Sequence, residues 1–137
     1  MTMEKPTTVV WFRQDLRTED HPALIAAAKQ GTVLPVYISC DEEEGEWAPG
    51  AASRWWLHHS LLALQKDLKQ LGLPLVIKKG KALPVLLEMI KKHNCSSVFW
   101  SRRYEPASLA RDASVKRKLQ EEGIDAQSFN ASLLYEP

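Results

Sequence analysis

Cysteine is nearly absent. Cys40 and Cys95 are the only two in 137 residues, they lie far apart, and neither has metal-ligand spacing to a partner. With no secretory signal peptide in view, both read as reduced thiols of a cytoplasmic protein. Long apolar runs are missing too: Leu83–Leu87, broken by Pro84, is far too short to span a bilayer. Charge of one sign is scarce in the sum. Eighteen basic residues face seventeen acidic ones, for a net charge of +1, which argues against a protein that grips nucleic acid by itself. Glycine is thin where phosphate-binding loops need it. No G-x-G-x-x-G follows the first apolar run and no G-x-x-x-x-G-K-[ST] occurs, so the backbone cannot approach a pyrophosphate as those loops do. There is also no H-E-x-x-H, C-x-x-C or nucleophile elbow.

What is present is an alternation of strand-like and helical patterns. Hydrophobic content of 45% and charged content of 26% suit one soluble globular domain. Val9–Phe12 predicts a first strand. Asp20 is placed to cap a helix that carries Pro22 in its first turn, buries Leu24, Ile25 and Ala28, and stops at Gly31. Val33–Ile38 predicts a strand covered on both faces, with Pro35 a misfit for an inner strand. After the polar stretch Cys40–Ala52, Ser53 is placed to cap the longest helix. Its stripe Leu57, Leu61, Leu64, Leu68 and Leu71 repeats at four and three, as one face against a sheet requires. A short strand Leu75–Ile77 follows, then a helix Ala82–His93 with Leu83, Leu86, Leu87 and Ile90 inward. A strand Val98–Trp100, a helix Pro106–Glu122 closed by Gly123, and a strand Ala126–Phe129 complete the set. Strands joined by helices need right-handed crossovers. The expected fold is therefore α/β, a three-layer Rossmann-like, doubly wound five-stranded parallel sheet of order 3-2-1-4-5.

Such sheets hold ligands beyond the carboxyl ends of their strands, where the strand order reverses. That selects the loops 13–19, 40–52 and 101–105, and places Arg13 and Glu105 at one crevice between the first and fourth strands. The histidines His21, His58, His59 and His93 fall on predicted helices or their ends and read as packing or surface residues.

Three strings carry a family resemblance. Val10-Trp11-Phe12-Arg13-Gln14-Asp15-Leu16-Arg17, followed by Asp20-His21-Pro22-Ala23-Leu24, closely resembles the opening W-F-R-x-D-L-R…D-N-P-A-L of DNA photolyases and cryptochromes. Arg54-Trp55-Trp56-Leu57-His58-His59-Ser60-Leu61 is similar to their second long helix. Tyr104-Glu105-Pro106, with Arg111-Asp112 beyond, is similar to their loop and helix after the fourth strand. The likeness covers essentially the whole chain and looks most like a bacterial class I deoxyribodipyrimidine photolyase.

The resemblance implies an N-terminal α/β domain at residues 1–131, with 132–137 starting a linker to an FAD-binding helical domain. It implies an antenna chromophore, a reduced folate or a deazaflavin with a flavin also open, that absorbs light for FAD in that second domain. FAD and damaged DNA would be met only through that domain, where light drives cleavage of cyclobutane pyrimidine dimers, so this chain by itself is expected to be inactive. Glu105 matches the family glutamate that bonds a pterin, a carboxylate being able to accept from an amino group and a ring N–H together. The competing role for it is an ion pair with Arg13, Arg102 or Arg103. Where folate-binding members tend to carry a histidine this chain has Gly50, and where they often carry an asparagine it has Ser101. Both departures keep the chromophore's identity open. Arg13, Ser101, Cys40, Trp47 and Gly50 join Glu105 as chromophore-site candidates, while Asp15, Arg17, Arg102 and Arg103 are expected to order loops or meet the second domain. No catalytic residue and no metal ligand is expected in the chain. A weak homodimer through the tail Leu133–Tyr135 is a further expectation. A cryptochrome photoreceptor, a stand-alone nucleotide-binding α/β protein and a ligand-free scaffold domain are the alternative readings.

Overall fold

A computed structural model describes residues 6–13, 16, 18, 21–39, 51–102 and 106–129, without the side chains of 51–56 and 107. The elements alternate as expected: β1 (Thr7–Phe12), α1 (Pro22–Gln30), β2 (Thr32–Ser39), α2 (Ala51–Gln70), β3 (Val76–Lys79), α3 (Ala82–His93), β4 (Ser97–Ser101), α4 (Pro106–Glu121) and β5 (Asp125–Phe129). The strands form one sheet of order β3-β2-β1-β4-β5, with every neighbouring pair parallel. Alternation along the strands sends successive side chains to opposite faces. Val9, Trp11, Val36, Val98 and Trp100 meet α3 and α4 through Leu86, Met89, Val115 and Leu119. Val10, Phe12, Tyr37 and Phe99 meet α1 and α2 through Ala23, Leu24, Ala27, Leu64 and Leu68. Two helices on each face make the three layers, and the central strands β1 and β4 are apolar on both sides because both sides are covered.

Proline in β2 has a local explanation. Pro35 pairs with Val10 of β1, but β3 begins only opposite Val36, so at Pro35 the strand has a neighbour on one side alone. A missing N–H costs little there. The outer strand β3 is short and carries Lys78 and Lys79, which discourages edge-to-edge pairing.

The helix faces are rotated from the expected ones. On α1 the buried residues are Ala23, Leu24 and Ala27, while Ile25 is exposed and Ala28 lies outside the core. Small alanines toward the sheet let the helix approach closely, and the larger Ile25 turns outward. On α3 the centre of the buried face is Ala82, Val85, Leu86 and Met89, with Leu83, Leu87 and Ile90 at its margins. The long helix α2 starts at Ala51, so Ser53 is not its cap. Its stripe ends at Leu68, and Leu71, beyond the last helical residue, is 60% exposed. Gly72 (φ 77°) closes α2, with Leu73 N–H donating to the Leu68 carbonyl, and Gly123 (φ 80°) closes α4, with Ile124 N–H donating to Leu119. A side chain at either glycine would meet no neighbour, so the left-handed backbone alone selects glycine.

The cap of α1 is His21 rather than Asp20, which lies outside the described residues. His21 is fully buried, its Nδ1 accepts from Leu24 N–H at 3.1 Å, and its ring packs on Phe12 at 4.9 Å. An accepting Nδ1 puts the ring proton on Nε2. His21→Ala removes both the cap and a packed ring, and should cost about 2–3 kcal/mol in urea denaturation; His21→Asn, which can still cap, should recover about 1 kcal/mol of that. Cys95, 7% exposed, packs as an apolar group, and desolvation pushes its thiol up to about 11.

Candidate functional site

The order of the strands places a reversal between β1 and β4. The crossover after β1 runs through α1 on one face, and the connection after β4 runs through α4 on the other, so the carboxyl ends of these two strands are the place where sheets of this kind take a ligand. Arg13, the residue after β1, occupies it. Its Nη1 donates to both carboxylate oxygens of Asp112 on α4, at 2.7 and 2.8 Å, and its Nη2 donates to the carbonyl of Ser101 at the end of β4. The guanidinium carbon lies 4.7 Å from the centre of the Trp11 ring, and Trp11 meets Trp100 edge-on at 5.6 Å. The Arg13 and Asp112 side chains are only 8% and 11% exposed. A planar, always-charged fork suits this bidentate, stacked geometry where a lysine would not.

Arg13 is thus a clamp across three elements, with both terminal nitrogens committed to protein acceptors. Its described ion-pair partner is Asp112. Asp112 is the residue that sequence reasoning passed over as a site residue. The signal was present in the helix: among the described residues, Ser108, Asp112, Val115 and Leu119 are the buried positions of α4, spaced four, three and four, so a carboxylate stands in an inward-facing row.

Ser101 is 5% exposed and its hydroxyl has no hydrogen-bond partner among the described residues; the same holds for the indole nitrogen of Trp100, the residue before it, whose side chain points to the opposite face of the sheet. Buried polar groups are nearly always paired, so two such atoms at adjacent positions, at the end of one strand, are uncommon. Arg102 continues from β4 by donating its N–H to Phe129 and its Nε to the Ser128 hydroxyl at 3.1 Å, and it is exposed. Cys40, Trp47, Gly50, Asp15, Arg17, Arg103, Glu105 and the tail Leu133–Tyr135 lie outside the described residues. His58, His59 and His93 are exposed on their helices. Among the described residues no cluster of three potential metal ligands occurs, and no helix is long and apolar enough to cross a membrane.

The fold is that of a doubly wound α/β domain, the kind that takes a ligand at the strand-order reversal. The profile of the DNA photolyase family matches residues 8–137, and the chain belongs to that family. It is 51% identical over its whole length to Cryptochrome-2 of Arabidopsis thaliana, of which it covers 22%. It is 41% identical over its whole length to the deoxyribodipyrimidine photo-lyase of Agrobacterium fabrum, of which it covers 28%. Among solved structures, a bacterial class III photolyase from Agrobacterium tumefaciens superposes with a TM-score of 0.90 at 40% identity, covering all of this chain and 28% of that one. The chain therefore spans less than a third of these relatives. Likeness to plant cryptochromes and to a class III photolyase does not support the expected assignment to the bacterial class I enzymes. The five-stranded order and the four helices are those of the photolyase N-terminal domain.

Proposed function

We propose that the chain is the antenna domain of a photolyase or cryptochrome, holding a flat light-absorbing chromophore at the carboxyl ends of β1 and β4. The observation that carries this reading is the buried Ser101 hydroxyl, without a hydrogen-bond partner among the described residues, at the end of β4 and at the strand-order reversal of a domain from this family. A reduced folate, a deazaflavin or a flavin offers ring N–H and carbonyl groups along one edge, which fits a hydroxyl able both to donate and to accept. Glu105, in the loop after β4, supplies the carboxylate for ring N–H groups. Cys40, Trp47 and Gly50, which follow β2 in the sequence, are the further candidates for contact with the chromophore. When bound, the chromophore absorbs light for a flavin held elsewhere in the parent protein. This chain's own residues bind it, orient it and exclude water.

The parent protein of the photolyase reading splits cyclobutane pyrimidine dimers with FAD and light, and meets damaged DNA through its FAD-binding domain. In the cryptochrome reading the same antenna feeds a photoreceptor, and the 51% identity to a plant cryptochrome favours that second possibility. A solved photolyase from Sulfolobus tokodaii, with a TM-score of 0.80 at 25% identity, is described as holding two FAD molecules with the implication of a novel light-harvesting cofactor, and this keeps a flavin among the probes.

Titration of the purified chain with reduced folate, deazaflavin and FAD, followed by absorbance and fluorescence anisotropy, tests the proposal. One of the three should bind, and Glu105→Ala should weaken it about ten- to hundredfold, the loss of a charge-assisted bond worth roughly 1.5–3 kcal/mol. Failure of all three to bind would overturn the antenna reading. Unchanged affinity in the variant, with binding intact, would make Glu105 a structural residue.

A further inference from the structure

We infer that Asp112 is a positioning residue for the ligand at the end of β4, acting through Arg13 without touching the ligand. The inference rests on the antenna reading above. Asp112 receives both of its described bonds from one nitrogen of Arg13, and the residue is 8% exposed, so its carboxylate is not offered to a ligand. What it controls is the pose of Arg13. With Nη1 fixed by two oxygens and the ring of Trp11 beneath the guanidinium, Nη2 is directed at the Ser101 carbonyl. That carbonyl is one of two anchors at the end of β4. The other is the Arg102 N–H, which donates to the Phe129 carbonyl of β5 at 2.8 Å.

The last turn of chain before residues 103–105 is thus pinned from β1 on one side and β5 on the other. Asp112 is the group that holds the β1 anchor in line. The Ser101 hydroxyl, without a hydrogen-bond partner among the described residues, belongs to the same residue as the anchored carbonyl, so a tilt of that peptide displaces the hydroxyl. Hydrogen bonds weaken steeply with misalignment, so a small tilt at Ser101 is felt in ligand affinity.

Two variants of the full chain separate positioning from mere stability. Asp112→Asn keeps the size of the side chain but removes its charge and one acceptor, leaving Arg13 in place with a poorer partner. The double variant Arg13→Met with Asp112→Leu replaces the pair by apolar groups of similar volume, an exchange that often restores stability. Binding of reduced folate and of deazaflavin is measured well below each melting temperature, together with the absorption maximum of the bound probe. Asp112→Asn should bind about tenfold more weakly, the equivalent of one misaligned bond, with a shifted maximum. The double variant should recover most of the melting temperature while its affinity stays low.

Affinity that returns with the melting temperature in the double variant, or wild-type affinity in Asp112→Asn, would overturn the inference and leave the pair purely structural. A wild-type chain that binds neither probe would defeat the inference together with the folate and deazaflavin forms of the antenna reading. A wild-type chain that binds while both variants match it would defeat the inference alone.

Discussion

Arg13→Ala should lower the stability of the domain by about 3–5 kcal/mol, enough to shift the melting temperature by roughly 10–20 °C. The reason is the state in which the substitution leaves its neighbours. Asp112 would remain buried with both of its described hydrogen bonds gone, and the Ser101 carbonyl would lose a charged donor. The stacking of the guanidinium on Trp11, at 4.7 Å, adds about 0.5–2 kcal/mol to what is lost. Asp112→Ala should cost a similar amount, because it strands the opposite charge. The two losses are not additive, since they remove the same pair, and a double-mutant cycle should return a large coupling energy. Because both side chains are about nine-tenths buried, salt should screen the pair little, and the difference between wild type and variant should persist from low to high ionic strength. Chemical denaturation at two salt concentrations measures both quantities. A loss below about 1 kcal/mol, the range of exposed pairs, would mean that water reaches the pair in solution.

The same pair shows how far the sequence could be read. The strand order came through because it depends on few choices: five apolar runs, four helices between them, and the right-handed rule for crossovers. Placing Arg13 at the reversal followed from that order. Its partner did not, because Asp112 is ninety-nine positions away and no local pattern links the two. Helix faces were legible where leucines repeat, as from Leu57 to Leu68, and blurred where alanine is the inward residue. Ala23 and Ala27 contribute little to an apolar stripe yet lie fully buried, so Ile25 looked like a better core residue than it is. His21 was recognisable only as a packing residue. Its capping bond depends on a ring nitrogen pointing back at Leu24, which sequence spacing does not reveal. Of the candidate chromophore residues, Arg13 and Ser101 are the two that the described structure brings together. They meet through the backbone of one and the side chain of the other.

Trp100→Ala should be as damaging as the loss of Arg13, whereas Trp100→Phe should be nearly tolerated. Trp100 is 1% exposed, stands at the end of the central strand β4, and meets Trp11 edge-on. Truncation to alanine removes most of a large ring from a close-packed layer and leaves a cavity beside Trp11, for a loss of about 3–5 kcal/mol. Phenylalanine keeps a ring in contact with Trp11 and loses the smaller part of the volume. It also removes the indole N–H that has no hydrogen-bond partner among the described residues, a group whose burial costs roughly 1–3 kcal/mol. The two terms oppose each other in Trp100→Phe, so the net change should stay within about 1.5 kcal/mol of wild type. Urea denaturation of the two variants without added ligand gives the comparison. A loss in Trp100→Phe close to that of Trp100→Ala would show that the indole N–H is hydrogen-bonded in solution, by ordered water or by a group of the protein. Repeating the measurement with a bound chromophore extends the argument to the site. If the ligand accepts from that N–H, Trp100→Phe should bind it more weakly while remaining as stable as wild type. Equal affinity in the two proteins would leave the Ser101 hydroxyl as the group at the end of β4 that the ligand reads.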